Sequence, residues 1–372
     1  MNRLLIAVIT GCMPAYTPIE SPTGTEDVEA TWTLVTSTPQ SETSQGYLVL
    51  TRFDKTSSEA FVLTGEGSVV WRSQDPGGAL KINRARLSSD GGSVLYSAND
   101  RERQLDLGIV TRTDLRTGEV LSQTRTVEQH HDFVEHADTK ALSWLSWGYG
   151  EAHLGFSPIP LATDVLRTAQ EGSAEETPDR IFDFLEDYPE PPFWSCQHMG
   201  FDHFAPDHYE WSHSNSLAYL PDEDAYFILV RYWDALLKIH GDGTLAWQLG
   251  GRFADLSMSE GDAFHHPHLS EVWSGGMLLF DNGDHSDPPV SGVVEYAWDE
   301  DTRTARKVWE YRDPGGRFIS YLGDARRLPG GNTLISWGPL GRLTEVTPDG
   351  QVVWELETKG TVGRVTWIDH LP

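Results

Sequence analysis

The sequence predicts an all-β protein folded as a six-bladed β-propeller, and three observations lead to this prediction. Beyond residue 46 there is no long helical period, whereas short apolar strands separated by Gly, Pro and Asp turns return throughout the chain. A pattern of strand, polar turn and more apolar strand recurs, starting near residues 85, 131, 213, 268 and 323. Most of these starts are about 50 residues apart, which is typical of a four-stranded propeller blade.

The clearest copy of this hairpin runs from His213 to Arg231. Two apolar runs, Leu217–Leu220 and Ala225–Val230, flank a turn at Pro221–Asp224. Antiparallel pairing about this turn joins residues whose numbers sum to about 445. We therefore expect the two end residues, a histidine and an arginine, to lie together at the open end of the hairpin.

The repeat period predicts the number of blades. About 325 residues divided by a period of about 50 give six blades, and seven is the alternative. The long interval between residues 131 and 213 is interpreted as containing an insertion at Ala162–Glu190, which we expect to cover one mouth of the channel. A second repeated feature is a turn followed by Trp, seen at Trp71, Trp247, Trp309 and Trp354. Residues 47–64 are expected to pair with strands in 341–368 and close the ring.

The N-terminus suggests export. Arg3, the apolar run Leu4–Thr10 and Gly11-Cys12 resemble a bacterial lipoprotein signal, which implies cleavage before Cys12 and lipidation of its thiol. An ordinary secretory signal or a mis-assigned start is the alternative. The predicted organisation is a signal peptide at 1–11, a flexible tether at 12–46 and a catalytic propeller at 47–372. The expected location is the cell envelope, periplasmic or on the outer surface, with Cys196 as a free thiol.

Charge limits the class of ligand. The 56 acidic and 28 basic residues give a formal net charge of -28, which argues against nucleic-acid binding because phosphate backbones require clustered Lys and Arg. An anionic ligand would need a local group of cationic or hydrogen-bonding side chains. Arg231 and members of the 14 histidines are the candidates.

Three of the repeated hairpins begin with histidine, at His131, His213 and His268. Equivalent strand ends of different blades converge on one mouth of the channel, so these histidines and Arg231 are expected to form one pocket. The turn arithmetic also places Trp147 opposite His131.

The same arithmetic places Asn282 opposite His268. An aromatic wall and an amide donor at these positions suit a flat substrate with a polar end.

Six segments of the chain match a known family in order and spacing. They are His130-His131-Asp132, His213–Ser216 with Arg231, Trp247–Gly251, Phe280–Gly283, Val293–Tyr296 with Val308–Tyr311, and Leu322–Trp337. On these segments the chain, from about residue 80 to its end, resembles bacterial aryl-sulfate sulfotransferases. The resemblance implies a six-bladed propeller that moves a sulfuryl group from a phenolic sulfate ester to another phenol through a sulfohistidine, with no nucleotide donor, metal or other cofactor.

By the same resemblance His268 is the nucleophile, while Arg231, His213 and His131 bind the sulfuryl oxygens and handle the proton. Asn215, Asn282, Trp147, His266 and His130 complete the expected substrate contacts.

Two assignments stay open. The run His265-His266-Pro267-His268 allows His266 to be the nucleophile in place of His268. Strand alternation turns only one of His130 and His131 inward, and we favour His131.

Two other classes of function compete with sulfuryl transfer. One is a metal hydrolase, which Arg231 opposes because a cation would repel it; its ligands would be His266 and His268 with His131 or His213, completed by Asp132 and Asp281. The other is a surface-anchored propeller that binds a ligand without catalysis.

Overall fold

The computed structural model describes residues 32–38, 46–55, 57–73, 80–100, 108–153, 157–175, 177–193, 196 and 207–371. Its strands form six separate sheets, which are the six blades of a β-propeller. The predicted all-β fold with six blades is therefore confirmed. In this part of the chain, helix is limited to three single 3₁₀ turns, Pro221–Glu223, Arg231–Trp233 and Gly338–Leu340, and no helix is long and apolar enough to cross a membrane.

The strands are numbered along the chain, and within each blade they run from the channel outward. The first three blades are β26 (Thr361–Ile368), β2 (Tyr47–Phe53), β3 (Ser58–Thr64) and β4 (Val69–Arg72); β5 (Leu80–Leu87), β6 (Ser93–Asp100), β7 (Gly108–Asp114) and β8 (Val120–Arg125); and β9 (Gln129–Glu135), β10 (Leu142–Ala152), β11 (Ile159–Ala169) and β12 (Asp179–Asp183). The short β13 (Tyr209–Glu210) pairs in parallel with β11.

The other three blades follow the same order. They are β14 (Ser214–Leu220), β15 (Ala225–Val230), β16 (Ala235–His240) and β17 (Leu245–Gly250); β18 (Pro267–Trp273), β19 (Gly276–Asp281), β20 (Gly292–Asp299) and β21 (Thr304–Arg312); and β22 (Asp324–Arg327), β23 (Thr333–Ser336), β24 (Arg342–Val346), β25 (Val352–Thr358) and a fifth strand, β1 (Trp32–Ser37).

Strands from both ends of the chain close the ring. β26 supplies the innermost strand of the first blade, with Leu50 opposite Val365. This confirms the predicted pairing of residues 47–64 with the C-terminal strands. β1 covers the outer edge of β25, with Leu34 opposite Leu356.

The prediction of a flexible tether through residue 46 is therefore wrong for residues 32–37, because the β25 edge offers unpaired backbone groups that β1 satisfies. The Trp32 ring also packs edge-on against Phe61, with the ring centroids 6.0 Å apart. Residues 1–31, which include the predicted signal peptide, Cys12 and most of the predicted tether, lie outside the described residues.

The predicted insertion at Ala162–Glu190 is also corrected. Residues 162–169 belong to β11, which pairs with β10 along its full length, and residues 179–183 form β12. The polar residues in this stretch misled the prediction, because β12 is an outer strand and outer strands meet water. The long connection starts after Asp183 instead, and its Phe184, Tyr188 and Phe193 pack on the third and fourth blades.

The core is divided among six apolar clusters, and each lies between two neighbouring blades. The clusters combine side chains from both blades, as where Phe280 of β19 meets Trp337 beside β23, with ring centroids 5.6 Å apart. Burial of apolar area in these seams stabilises the ring at roughly 25 cal/mol per Å². The outermost strands are more exposed, as in β4 and β8.

Candidate active site

The innermost strands bring the predicted histidines to one end of the channel. His131 lies near the start of β9, His213 directly precedes β14, and His268 is the second residue of β18. The rings of His131 and His213 are 4.8 Å apart between centroids. Arg231 begins the 3₁₀ turn after β15, and its backbone N–H donates to the His213 carbonyl over 3.1 Å. His213 and Arg231 therefore lie together at the open end of the hairpin, as predicted.

β-Bulges position these side chains. The register shifts between Gln129 and Phe133, between Ser214 and Ser216, and between His268 and Ser270. A bulge adds a residue to one strand, so it changes both the facing partner and the direction of the side chain.

The bulges correct two predicted pairings. Trp147 donates its backbone N–H to Glu128 rather than facing His131, and His268 is opposite Phe280 rather than Asn282.

Two of the histidines have a backbone conformation that is uncommon for residues with a side chain. His131 has φ 46° and His213 has φ 55°, both in the left-handed region. Such conformations are held by the surrounding fold and concentrate at functional sites. His266 and Leu269, on either side of His268, share this feature with φ 49° and φ 48°.

His268 is held as a neutral imidazole. The residue is 5% exposed, and its Nδ1 lies 3.0 Å from the Gly323 carbonyl oxygen, which can only accept a hydrogen bond. Burial first, and then the positive charge of Arg231, lower the pKa of His268 to about 3. With the proton on Nδ1, the lone pair is on Nε2, and this arrangement allows Nε2 to act as a nucleophile at neutral pH.

Arg231 is buried and anchored by protein acceptors. Nη1 donates to Asn282 Oδ1 over 3.0 Å, and Nη2 donates to Ser320 O over 2.7 Å and to Asp284 Oδ2 over 3.2 Å. Nη1 also donates to the His266 carbonyl over 3.2 Å. These contacts fix the guanidinium in a chain that is strongly acidic overall, so Arg231 provides a local positive charge at the site.

His213 is oriented by a carboxylate. Its Nδ1 lies 2.7 Å from Glu210 Oε1, and its ring lies 5.0 Å from that of Tyr232 between centroids. A carboxylate on one ring nitrogen of a histidine fixes the orientation of the ring, so that the other nitrogen can exchange a proton with a bound molecule.

His130 and His131 contact one another through their Nδ1 atoms, which are 2.9 Å apart. His130 has its Nε2 2.9 Å from Asp164 Oδ1 and its ring 4.3 Å from that of Trp147. His130 is 4% exposed and Trp147 is 7% exposed. Trp147 therefore packs on His130, and His130 contacts His131. Contact of His130 or Trp147 with a substrate stays a prediction.

The two predicted amides are fully buried. Asn215 donates to the Pro267 carbonyl of the next blade over 2.9 Å. Asn282 donates to the carbonyls of Ile319 and Leu322 and accepts from Arg231. Both hold the backbone and the cation around the site, and a substrate contact of either amide stays a prediction.

His266 belongs to a neighbouring polar cluster and is 1% exposed. Its Nδ1 lies 2.8 Å from Asp284 Oδ2, and its Nε2 lies 2.9 Å from Cys196 Sγ. Burial lowers the pKa of His266, but the hydrogen bonds to Asp284 and Cys196 outweigh burial and raise it overall. Both ring nitrogens of His266 are therefore engaged with protein groups.

A ring of six side chains, one from each innermost strand, fills the channel. They are Arg84, Asp132, Ser216, Ser270, Asp324 and Arg364, and each is at most 4% exposed.

Asp132 accepts hydrogen bonds from Arg84 Nε over 3.0 Å and from Arg364. Burial raises the pKa of Asp132, but Arg364, Arg86 and Arg84 outweigh it and hold this pKa well below its usual range. The Asp132 carboxylate is thus ionised and paired with arginines.

The metal-hydrolase set is not assembled in the described part of the chain. Asp132 lies in the ring of arginines, and Asp281 accepts from Arg312 Nη2 over 2.8 Å and from the backbone N–H of His265 over 2.8 Å. Among the described residues, two different groups have atoms close enough together to hold an ion. One is Cys196, His266 and His285, and the other is Asp234, His265 and His285.

Several residues of the site were not predicted. Glu210 contacts His213 from the short strand β13 and Tyr232 contacts it from the 3₁₀ turn Arg231–Trp233, and neither segment gave a signal of a site in the sequence. Asp284 and His285 directly follow the Phe280–Gly283 segment, so the signal was present as two further polar residues in the same loop. Cys196 was predicted only as a free thiol, because the two histidines that contact it, His266 and His285, lie 70 and 89 positions further along the chain.

Comparison with known proteins agrees with this fold. The sequence model of the family described as Arylsulfotransferase (ASST) matches residues 33–363. The sequence matches no curated protein. Among solved structures, the chain is similar to a protein of unknown function from Bacteroides caccae, at 12% identity and a TM-score of 0.51, covering 87% of this chain and 100% of that one. This similarity concerns the fold alone.

Two further structures were also matched at low similarity. TolB from Acinetobacter baumannii is 13% identical with a TM-score of 0.49, covering 87% of this chain and 66% of that one. The periplasmic gluconolactonase PpgL from Pseudomonas aeruginosa is 13% identical with a TM-score of 0.47, covering 88% of this chain and 100% of that one.

Proposed function

Because the chain belongs to the arylsulfotransferase family, which supports aryl sulfotransferase activity on small phenolic substrates, we propose that it works through a covalent sulfohistidine on His268. The observation that carries this proposal is the state of that ring. His268 is neutral, its Nδ1 faces the Gly323 carbonyl, and its Nε2 retains the lone pair. The alternative nucleophile, His266, has both ring nitrogens in contact with Asp284 and Cys196.

The first half-reaction forms one bond and breaks another. The Nε2 lone pair of His268 attacks the sulfur of an aryl sulfate, and the bond from sulfur to the phenolic oxygen breaks. The phenolate leaves with the bonding electron pair and takes a proton from His213, whose ring is held by Glu210. The Gly323 carbonyl stabilises the positive charge that develops on the His268 ring.

The second half-reaction reverses these steps with a new phenol. Its oxygen attacks the sulfur of sulfohistidine while His213 removes the phenolic proton, and the bond between sulfur and Nε2 breaks. Arg231 and His131 stabilise the charge on the sulfuryl oxygens in both transfers. Both half-reactions use only groups of this chain, which are four side chains and the backbone carbonyl of Gly323.

The site supports transfer better than a metal-dependent hydrolysis. The positive charge of Arg231 lies near enough to His268 to lower its pKa, and at the Nε2 atom of His268 such a charge favours an anionic sulfate over a cation. The proposed donor is a phenolic sulfate ester and the proposed acceptor is a second phenol.

The cell envelope is the proposed location, with the protein anchored by a lipid on Cys12. This proposal rests on the sequence pattern from Arg3 to Cys12. A lipid there would hold the propeller close to a membrane without contributing to the chemistry.

The deciding experiment combines turnover and trapping. The purified protein is mixed with para-nitrophenyl sulfate, with and without a phenol acceptor. We expect sulfated acceptor, ping-pong kinetics and, without acceptor, a protein heavier by one sulfuryl group on the peptide that contains His265 to His268. The adduct is sought at alkaline pH, where a bond between nitrogen and sulfur should survive best.

The variants then separate the possibilities. His268→Asn should abolish adduct and turnover, while the exposed His240→Asn is the control. An adduct on His266 would reassign the nucleophile. Release of nitrophenol without any sulfated acceptor would indicate a hydrolase. Absence of turnover in the folded protein would favour a propeller that only binds its ligand.

A further inference from the structure

A second polar site lies beside the proposed catalytic pocket. Cys196, in the connection after β12, has its Sγ 2.9 Å from His266 Nε2 and 3.4 Å from His285 Nε2. His266 precedes β18, and His285 follows β19. The two ends of the hairpin of β18 and β19 and a connection at least 70 positions earlier in the chain therefore place one sulfur and two imidazole nitrogens together.

The other nitrogen of each imidazole faces a carboxylate. His266 Nδ1 lies 2.8 Å from Asp284 Oδ2, and His285 Nδ1 lies 3.3 Å from Asp234 Oδ2. Histidines that bind metals commonly donate their second N–H to a carboxylate, which fixes the tautomer and directs the lone pair of Nε2 at the ion. Here both Nε2 atoms lie beside the same thiol.

We propose that Cys196 Sγ, His266 Nε2 and His285 Nε2 bind one zinc ion, whose fourth position is open to water. Thiolate and imidazole are ligands that zinc prefers, and three protein ligands with a water are a common arrangement. This site goes beyond the proposed sulfuryl transfer and does not depend on it.

The spacing suits such an ion. Zinc bonds of about 2.3 Å to sulfur and about 2.0 Å to nitrogen at a tetrahedral angle separate the sulfur from the nitrogen by about 3.5 Å. The separation to His285 is 3.4 Å, and the separation to His266 is 2.9 Å. Binding therefore requires the thiol to move away from His266 by less than about 1 Å.

An overlapping group, Asp234, His265 and His285, is the competing location. Asp234 Oδ1 already accepts the backbone N–H of His266 over 2.6 Å, and Oδ2 lies beside both His265 Nδ1 and His285 Nδ1. With these contacts, Asp234 can orient the His285 ring without binding the ion itself. The thiol favours zinc on the Cys196 side, because the competing group lacks a soft ligand.

The ion would tie the connection after β12 to the pocket. The carbonyl of His266 accepts from Arg231, and Asp284 accepts from both His266 and Arg231. Fixing His266 on Cys196 would therefore hold Arg231 in place. The role we assign to zinc is this positioning.

The test uses the whole chain with Cys12→Ser, so that Cys196 is the single remaining thiol of the two. Protein stripped with a chelator is titrated with zinc by calorimetry. It is then titrated with cobalt, which gives an absorption band from thiolate to metal. We expect one ion per chain, the thiolate band, and protection of Cys196 from iodoacetamide by zinc.

Matched variants locate the ion. Cys196→Ser and His285→Asn should each weaken zinc binding at least about 100-fold, a loss at the upper end of that seen for outer-shell changes. The exposed His240→Asn should bind as the parent does. Equal zinc affinity in Cys196→Ser would overturn the proposal and move the ion to Asp234, His265 and His285.

The parent protein decides the matter even if a variant fails to fold. Binding of much less than one zinc per chain, or cobalt binding without the thiolate band, would overturn the site. So would alkylation of Cys196 at the same rate with and without zinc, which would leave a thiolate paired with two imidazolium rings as the resting structure.

Discussion

The Nδ1 atom of His268 lies 3.0 Å from the carbonyl oxygen of Gly323, and this single contact determines where the proton of the ring resides. A carbonyl cannot donate, so the imidazole must donate to it. The reactive nitrogen is consequently Nε2. The remaining environment, buried and next to a guanidinium, disfavours a second proton.

Stability should therefore depend on His268 in acid. The pKa of a histidine in an unfolded chain is about 6.5, whereas in the folded protein that of His268 is lowered to about 3. Between these values the unfolded chain binds more protons, so the free energy of unfolding falls as pH falls. His268→Asn should reduce this slope by at most about 1.4 kcal/mol per pH unit. Urea unfolding at pH 7 and pH 5 measures the slope, with the exposed His240→Asn as control. Equal slopes in the parent and His268→Asn would contradict the assignment.

Arg231→Lys should retain the fold and lose most activity. A lysine ammonium cannot reach Asn282, Asp284 and Ser320 at the same time, so its charge would not be held at the pocket. Loss of one charge contact in the transition state is worth about 2 to 4 kcal/mol, or roughly 30-fold to 1000-fold in rate. Steady-state kcat/KM measures this, and Arg303→Lys at an exposed site is the control. A near-normal rate would remove Arg231 from the catalytic site.

His213→Asn should affect poor leaving groups most. A general acid contributes about 100-fold to 10,000-fold when the departing phenolate needs a proton, and little when the phenolate is already stable. We expect a large loss with phenyl sulfate and a small loss with para-nitrophenyl sulfate. The measurement is kcat across a series of substituted aryl sulfates. Equal losses across the series would show that His213 does not protonate the leaving group.

Asp132→Asn should destabilise the propeller. The carboxylate is fully buried and lies between Arg84 and Arg364, so its removal leaves buried cations uncompensated. Breaking a buried ion pair costs about 3 to 5 kcal/mol. Urea unfolding measures the change, and Asp301→Asn on an exposed turn is the control. A loss below about 1 kcal/mol would mean that the ring of charges is not needed for stability.

Cys12→Ser should release the protein from membranes while leaving its rate unchanged. A thiol is the attachment point of the proposed lipid, and serine cannot carry it in the same way. Fractionation of cells that express each form, with activity assayed in both fractions, measures the effect. Membrane retention of Cys12→Ser would reject the lipid anchor.

The sequence predicted the repeated elements better than the details between them. The pairing sum of 445 about the turn at Pro221–Asp224 holds from Ser216 to Leu220, because turn chemistry and apolar alternation are local. It fails by one residue at Ser214, where a bulge intervenes. Bulges depend on how the inner strands meet in the channel, and a single strand carries no signal of that.

The residues of the candidate site also fall into a group that the sequence predicted and a group that it did not. His131, His213 and Arg231 were predicted together because each lies at a repeated place in a hairpin. Glu210 and Cys196 were missed as parts of the site because they approach from outside the repeat, through β13 and the connection after β12. Their partners are chosen by long-range packing, which periodicity does not encode.

The use of both chain ends to complete the ring has a consequence for how the protein acquires its structure. Leu50 pairs with Val365, and Leu34 pairs with Leu356, so each of these two strand pairings joins residues that are more than three hundred positions apart. Neither pairing can form before the later strand has been synthesised. Contacts of such high sequence separation form slowly, because a long loop must be closed before any pairing energy is gained. A chain emerging N-terminus first therefore remains an open arc with unpaired strand edges until its final residues appear. Native structure is then reached in a late closing step.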